Sequence, residues 1–358
     1  MRLATYNIEW FVNLFDAHGR LLEDDGWSAR FQVTRGQQLR ALGAVFRAMD
    51  SDAVMVIEAP DNNRHRKTVP MLEAFAARFG LRTGKAAMGF ENDTQQEIAI
   101  LYDPGALTIR HDPKGEPMGA LPVPRRDEVP DIAPRFDGAH HIDLDATGAF
   151  GGRTDILRFN KPPFEIAATS REGRDFRMIG VHMKSKAPHG PKGEEAARRL
   201  AIAARREQLA QCIWLRQRVL EHLAAHDPLI VMGDFNDGPG LDSYEKLFGR
   251  SGVEVVLGWD EPRETRLYDP HARAALGRKL AALPASARFY LPGSDPGKGR
   301  FFSALLDYIM VSPDLRAMNP AWRIWHPFDD PTCYADPALR DALLTASDHF
   351  PVTIDLTL

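Results

Sequence analysis

Apolar residues along this chain come in short runs, interleaved with stretches in which they recur every three or four positions. The first pattern predicts strands and the second amphipathic helices. Strands are predicted at 2–8 (RLATYNI), 53–59 (AVMVIEA), 97–103 (EIAILYD), 175–185, 228–235 (PLIVMGDF), 306–312 (LDYIMVS) and 349–356 (HFPVTIDL). Residues 155–170 read as two further strands broken at Pro162 and Pro163, since proline cannot donate to a ladder. Helices are predicted over 35–49, where Leu39, Leu42, Val45, Phe46 and Met49 share a face, over 69–79, and over 194–225, where Ile202, Leu209, Ile213, Leu220 and Leu223 do. Segments 104–150 and 260–300 lack a clear period. They read as irregular surface segments, the first a long loop region or an inserted hairpin.

Many strands and few helices, with no obvious linker, predict one α/β domain over residues 1–358. The helices fall in the first two-thirds, and strict β-α-β alternation is lost after residue 150. A sandwich of mixed sheets therefore fits better than a purely parallel, doubly wound sheet.

Composition narrows this little. A net charge of -4 and a pI near 6.3 argue against a nucleic-acid coat protein but not against an enzyme touching a polyanion locally. Two cysteines, Cys212 in a helix and Cys333 in a loop by this reading, are no disulfide scaffold. No signal peptide or membrane span is apparent, and a cytoplasmic location is expected.

The chemistry sits where strands end. Asn7, Glu58, His182, Asp234 and Asn236 close apolar runs; Asp307 opens one, and Asp348 and His349 precede another. Each has an ordinary reading. Asn7 fits a strand-end amide, Glu58 a strand exit, His182 a half-buried imidazole, Asp234 with Asn236 an Asx turn, and SDHFP a turn before an edge strand. An Asp beside a His is also how an imidazole is held in one tautomer. Glu9, Asp237 and Asp242 are assigned to solvent or capping. Arg198, Arg199, Arg205 and Arg206 are assigned to a solvated helix face, or alternatively a phosphate-facing patch. Buried charges need partners or metal, so the shared habit of these strand ends points to one polar site. Carboxylates and amides with few imidazoles suit Mg²⁺ or Mn²⁺, and in-line hydrolysis at phosphorus.

Taken in order, TYNIEWF around Asn7, VIEAPDN around Glu58, VHMKSK around His182, GDFND at 233–237, LDYIMVS at 306–312 and SDHFPV at 347–352 resemble the endonuclease/exonuclease/phosphatase superfamily. The resemblance runs from residue 5 to residue 352, and lies nearest the deoxyribonuclease I-like branch. It implies a four-layer αββα sandwich with the site at one edge of the two sheets. It also implies roles. Glu58 would be the principal Mg²⁺ ligand, with Asn7 beside it or on the phosphate, and Mn²⁺ able to substitute. Asp234 would orient or deprotonate the attacking water, or protonate the leaving group. Asn236 would bond the phosphate or nucleophile. Asp348 would orient His349 on the scissile phosphate, and Asp307 would support one of the histidines. His182 would pair with Glu97. Where the deoxyribonuclease I pattern has an arginine, FNKPPF offers Lys161, with Arg158 nearby; lysine binds phosphate as a point charge, without the bidentate fork.

Three functions follow. The first is a Mg²⁺-dependent nuclease on DNA, and RNA as an alternative, with Lys184, Lys186 and Lys192 tracking a strand. The second is a phosphatase or phosphodiesterase acting on a phosphoinositide, sphingomyelin or other small phosphoester. No clearly suited hairpin or basic amphipathic helix appears, so stable membrane association is not expected. The third is an inactive binding module, against which every placed member of the catalytic set is retained.

Overall fold

The computed structural model describes residues 1–116, 133–143, 154–186, 193–238, 248–277, 284–291 and 299–358. Asp242 and Lys192 lie outside the described residues. The strands are β1 (Arg2–Asn7), β2 (Ala53–Ala59), β3 (Lys85–Met88), β4 (Glu97–Tyr102), β5 (Leu107–His111), β6 (His140–Asp143), β7 (Thr154–Leu157), β8 (Phe164–Ser170), β9 (Asp175–His182), β10 (Leu229–Asp234), β11 (Ala287–Leu291), β12 (Arg300–Ala304), β13 (Asp307–Val311), β14 (Ala321–Ile324) and β15 (Val352–Asp355). The helices are α1 (Arg35–Met49), α2 (Thr68–Phe79), α3 (Glu194–Ala224), α4 (Gly252–Leu257), α5 (Pro270–Leu276), α6 (Pro313–Ala317), α7 (Pro331–Ala335) and α8 (Pro337–Ala346).

Two mixed sheets form the centre. One has six strands in the order β14-β15-β1-β2-β4-β3, the other five in the order β13-β10-β9-β8-β5. Met55, Ile57, Ile98 and Ile100 of the first interleave with Ile166, Met178, Ile230, Met232 and Ile309 of the second. Each sheet buries its other face under helices: Leu39, Leu42 and Val45 of α1 with Leu72 and Phe75 of α2 on the first, Leu209, Trp214 and Leu215 of α3 on the second. This is the expected αββα sandwich. The sheets meet closely enough that a Cβ on Gly180 would lie 2.5 Å from Met55 Sδ.

Within each sheet one pair is parallel, β1 with β2 and β9 with β10, and the described neighbours are antiparallel. Ligand sites in open α/β sheets form beyond the carboxyl ends of parallel strands. Here those ends carry Asn7 and Glu58 from one sheet, His182 and Asp234 from the other.

Several expectations need correction. The 104–150 segment contains β6, whose antiparallel pairing with β7 agrees with an inserted hairpin, but also β5, an edge strand of the second sheet; residues 117–132 and 144–153 lie outside the description. The 260–300 segment contains α5 and β11. Helices are not confined to the first two-thirds: α8 buries Leu343 and Ala346 in the α1 core. Cys333 is not in a loop but buried in α7, whose N-cap Asp330 accepts its amide at 2.9 Å.

The charged positions assigned to solvent also differ. Asp237 and Arg205 are buried, and the guanidinium donates to the carboxylate at 2.8 Å. Lys186 donates to the same oxygen at 2.6 Å, and the Gly252 amide to the other at 2.5 Å. Gln208 of α3 donates to the carbonyls of Phe235 (3.1 Å) and Asn236 (2.9 Å). The turn after β10 is thus clamped to α3 and α4 from inside. Removing one partner of a buried ion pair strands the other in low dielectric. Asp237→Ala is expected to destabilise the fold by about 3–5 kcal/mol, read as a lower urea midpoint at unchanged m-value.

Candidate active site

Glu58 reaches the cleft through a defect in its own strand. The pairing of β2 with β4 shifts register between Ile57 and Ala59, and Glu58 takes a φ of 62°. Bulges re-aim side chains, and a non-glycine residue in this conformation stores strain of about 1–3 kcal/mol. Asp234 depends on the glycine before it. Gly233 has a φ of 142°, and a Cβ there would lie 2.0 Å from the Val181 carbonyl oxygen on β9.

Asp234 is the most heavily bonded carboxylate of the cleft. Its Oδ2 accepts from the side-chain amides of Asn7 (3.0 Å) and Asn236 (3.1 Å), and its Oδ1 from the Asn236 backbone at 2.7 Å. The last contact is an Asx turn. The ordinary reading of GDFND is therefore present, and it also holds Asn236 in place. Burial holds the Asp234 carboxyl above the usual carboxylate range, with His349 offsetting part of the effect.

His349 Nδ1 bonds Asp307 Oδ2 at 2.8 Å. Asp348 is not the orienting group: Asp307 is. Ser286 completes the arrangement, donating to Asp307 Oδ2 at 2.7 Å and accepting the Asp307 amide at 2.9 Å. Burial alone would depress the imidazole, but Asp307, with Asp234 and Asp348, lifts it well above its usual value. His349 is thus an imidazolium whose Nδ1–H donates to the Asp307 carboxylate. Ser347 ties this segment to β1, donating to the Asn7 carbonyl at 2.8 Å and accepting the His349 amide at 3.2 Å.

His182 does not pair with Glu97. Its Nε2 lies 3.4 Å from Lys161 Nζ, 3.7 Å from Asp234 Oδ2 and 3.9 Å from Glu58 Oε1. An ammonium can only donate, so Nε2 is the acceptor. Burial, then Lys161 and His349, push this imidazole well below its usual value, so it is neutral. Glu97 turns away to the loops beyond β2 and before β4, accepting from the Asn62 amide at 3.3 Å and the Asn92 side chain at 2.6 Å. Arg158 is exposed and does not line the cleft, whereas Lys161 does.

The cleft has a volume of about 660 Å³. Two large aromatic side chains stand at its wall, Trp10 and Phe289. Phe289 lies on β11, edge-on to the His349 ring at 5.5 Å, and β11 is held by the Arg288 amide donating to the Asp348 carbonyl at 2.7 Å. Glu9 also lines the cleft, paired with Arg30 rather than facing solvent alone. The sequence signals missed were Ser286 and Phe289, because no period marks a short hairpin, whereas Ser347 opens SDHFPV but was not given a role. Trp10 and Glu9 were visible within NIEW, beside Asn7.

Hard-oxygen donors without protein partners mark where a cation fits. Asn7 Oδ1, Asp348 Oδ1 and Asp307 Oδ1 are buried with no hydrogen-bond partner. Glu58 adds a carboxylate that burial holds above its usual range, with Lys161 as the main offset. Asp234, Asp307 and His349 also cluster within 4.8 Å. There, however, Asp307 Oδ2 and His349 Nδ1 are bonded to each other. The donor set of Asn7, Glu58 and Asp348 fits a divalent cation better.

Residues 4–349 match the profile of the Endonuclease/Exonuclease/phosphatase family. No curated protein matches the chain in sequence. Among solved structures, truncated TDP2 of Caenorhabditis elegans is similar at 12% identity, covering 100% of this chain and 97% of its own, with a TM-score of 0.48. An AP endonuclease of Archaeoglobus fulgidus is similar at 12% identity, 100% of both chains and 0.47. A mannosyl-6-phosphatase of Bacteroides thetaiotaomicron is similar at 16% identity, 100% of both chains and 0.44. Likeness at this level says nothing of substrate.

Burial raises the Glu97 carboxyl to about 7, against the opposing backbone donors of Asn62 and Asn92. Between its ordinary value and that one, the folded state keeps a proton that the unfolded state has lost. Stability therefore falls as pH rises through this window. Glu97→Gln has no such loss: its stability relative to wild type is expected to improve from pH 5 to pH 8, with hydrolysis unchanged. Unfolding midpoints that move in parallel, or lost activity, would contradict the placement of Glu97 away from His182.

Proposed function

The chain belongs to the endonuclease/exonuclease/phosphatase family and is a phosphoester hydrolase, and we propose that it is a divalent-metal-dependent nuclease acting on DNA or RNA. The observation that carries this is that phosphate-handling groups and two large aromatic rings share one cleft. Glu58, Lys161, Asp234 and His349 line the same cleft as Trp10 and Phe289. Bases stack on such rings; a small sugar phosphate has no use for them. Lys184 is loosely paired with Glu207 at 3.5 Å and can meet a backbone phosphate, whereas Lys186 is committed to Asp237.

In this reading Glu58, Asn7 and Asp348 hold Mg²⁺, or Mn²⁺ in its place. Bound there, the cation would neutralise the scissile phosphate. The chain's own groups do the rest. Lys161 and the protonated Nε2 of His349 bind the non-bridging oxygens and stabilise charge as it develops. Asp234, aligned by the amides of Asn7 and Asn236, orients the attacking water and takes its proton. Asn236 steadies the phosphate edge. Asp307 keeps His349 protonated and correctly turned, and neutral His182 packs Lys161 toward the cleft. Residues 1–358 act as one catalytic unit. Two free, buried cysteines suit a cytoplasmic setting, and among the described residues no helix is long and apolar enough to cross a membrane.

One observation favours a second reading, hydrolysis at a lipid surface. Phe301 and Phe302 of β12 are exposed at 56% and 39%. Arg288 lies 3.8 Å over Phe301, a cation among aromatics that serves nucleic acid equally.

Metal-stripped protein resupplied with Mg²⁺ or Mn²⁺ should cleave single-stranded DNA, plasmid or RNA faster than phosphoinositide or sphingomyelin vesicles, and Asp234→Ala should abolish this. Faster turnover of vesicles would establish the lipid reading instead. Trp10→Ala should raise KM for an oligonucleotide by about tenfold, from the ~1–3 kcal/mol of a base stack, while leaving bis(p-nitrophenyl) phosphate turnover near wild type. Equal losses on both substrates would contradict a stacking role.

A further inference from the structure

A second cavity, of about 920 Å³, opens at the opposite end of the five-stranded sheet. Strand β13 connects the two places. Asp307 begins it at the cleft, and Val311 ends it, exchanging backbone bonds with Tyr268 at 2.8 and 2.9 Å on the cavity wall. The separation along the strand is roughly 13 Å. Nothing in the phosphoesterase chemistry uses this region.

Four arginines line it: Arg263, Arg266, Arg273 and Arg316. None has a carboxylate within ion-pair distance among the described residues. Of the nearby acids, Asp260 and Glu264 are exposed, and the other three are engaged elsewhere. Glu261 pairs with Arg216 at 2.5 Å. Asp314 accepts from Ser312 at 2.5 Å. Asp269, on the wall, is buried and spends its two oxygens on the amides of Ala272 (2.8 Å) and Ile309 (3.0 Å). The segment 278–283 that follows α5 reads RKLAAL and contributes no acid in sequence.

Two of the guanidiniums are held in place. Arg316 lies 4.0 Å over the Tyr268 ring, and Arg266 lies 6.0 Å from the Trp259 ring while donating to the Glu261 carbonyl at 2.5 Å. Arg266 Nε is buried with no partner. Arg263 and Arg273 are exposed, Arg266 and Arg316 half-buried, so an entering anion can reach all four. Guanidinium forks match phosphate oxygens bidentately. The apolar and aromatic parts of the wall, with Trp259 and Tyr268, suit a flat ring. The volume is that of a nucleotide-sized site.

We propose that this cavity is an accessory site for a phosphorylated nucleoside, with the arginines on its phosphates and Trp259 or Tyr268 against its base. The ligand chemistry has two sources, a free nucleotide or a nucleotide unit of a bound nucleic acid. The site is separate from the hydrolytic cleft and does not depend on what that cleft cleaves.

The test is calorimetric titration of ATP, inorganic phosphate and a twelve-nucleotide single strand into the full chain in EDTA. Wild type should bind ATP saturably and more tightly than inorganic phosphate. Arg263→Glu with Arg273→Glu should weaken ATP binding by at least about tenfold, the loss expected for charge-assisted hydrogen bonds, without changing hydrolysis of bis(p-nitrophenyl) phosphate. Lys161→Ala, which alters the cleft, should leave ATP binding intact. Arg263→Ala with Arg273→Ala serves if charge reversal lowers the thermal midpoint. An oligonucleotide that displaces ATP identifies a nucleic-acid segment as the source, and one that does not identifies free nucleotide. No saturable ATP binding, equal affinity in the arginine variants, loss in Lys161→Ala, or phosphate binding as tightly as ATP would each overturn the proposal.

Discussion

One hydrogen bond joins the two halves of the sandwich at the cleft. Asn7 at the end of β1 donates to Asp234 at the end of β10 across 227 residues, at 3.0 Å and fully buried. Its two strands belong to different sheets. The bond can form only if the sheets pack with the carboxyl ends of their parallel pairs facing the same edge. That geometry also sets Glu58 and His182 beside it. An unsatisfied buried carboxylate would cost the fold several kcal/mol, so the amide and the acid specify each other's position.

Electrostatics follows from the same closeness. Burial drives carboxyls up, as at Asp234 and Glu58. It would drive His349 down were it not for Asp307. Two histidines a short distance apart are thus held in opposite states, His349 charged and His182 neutral. Separating titratable groups in this way is what assigns acid and base roles within one site.

Much of this was legible in strand ends. An apolar run closing on a polar residue marks Asn7, Glu58, His182 and Asp234, because a sheet presents its termini together. The partners were less legible. Asp348 adjoins His349 in sequence, but the imidazole turns to Asp307, paired with Asp234 across β13 and β10. Glu97 begins β4 beside the Glu58 bulge, yet its side chain follows the loops. Asp237 read as a solvated turn because its buried partner Arg205 lies 32 positions earlier on a helix that otherwise looks charged all round. The β11–β12 hairpin, with Ser286 at its base, gave too short a period to separate from loop.

The central claim is that the unpartnered oxygens of Asn7 and Asp348, with Glu58, form a cation site that the Asp234–His349 machinery serves. Electron paramagnetic resonance of Mn²⁺ titrated into the stripped protein tests it most directly. Saturable binding is expected, weakened far more by Glu58→Ala than by His349→Ala. Binding unchanged by Glu58→Ala, or lost on altering His349 alone, would contradict it.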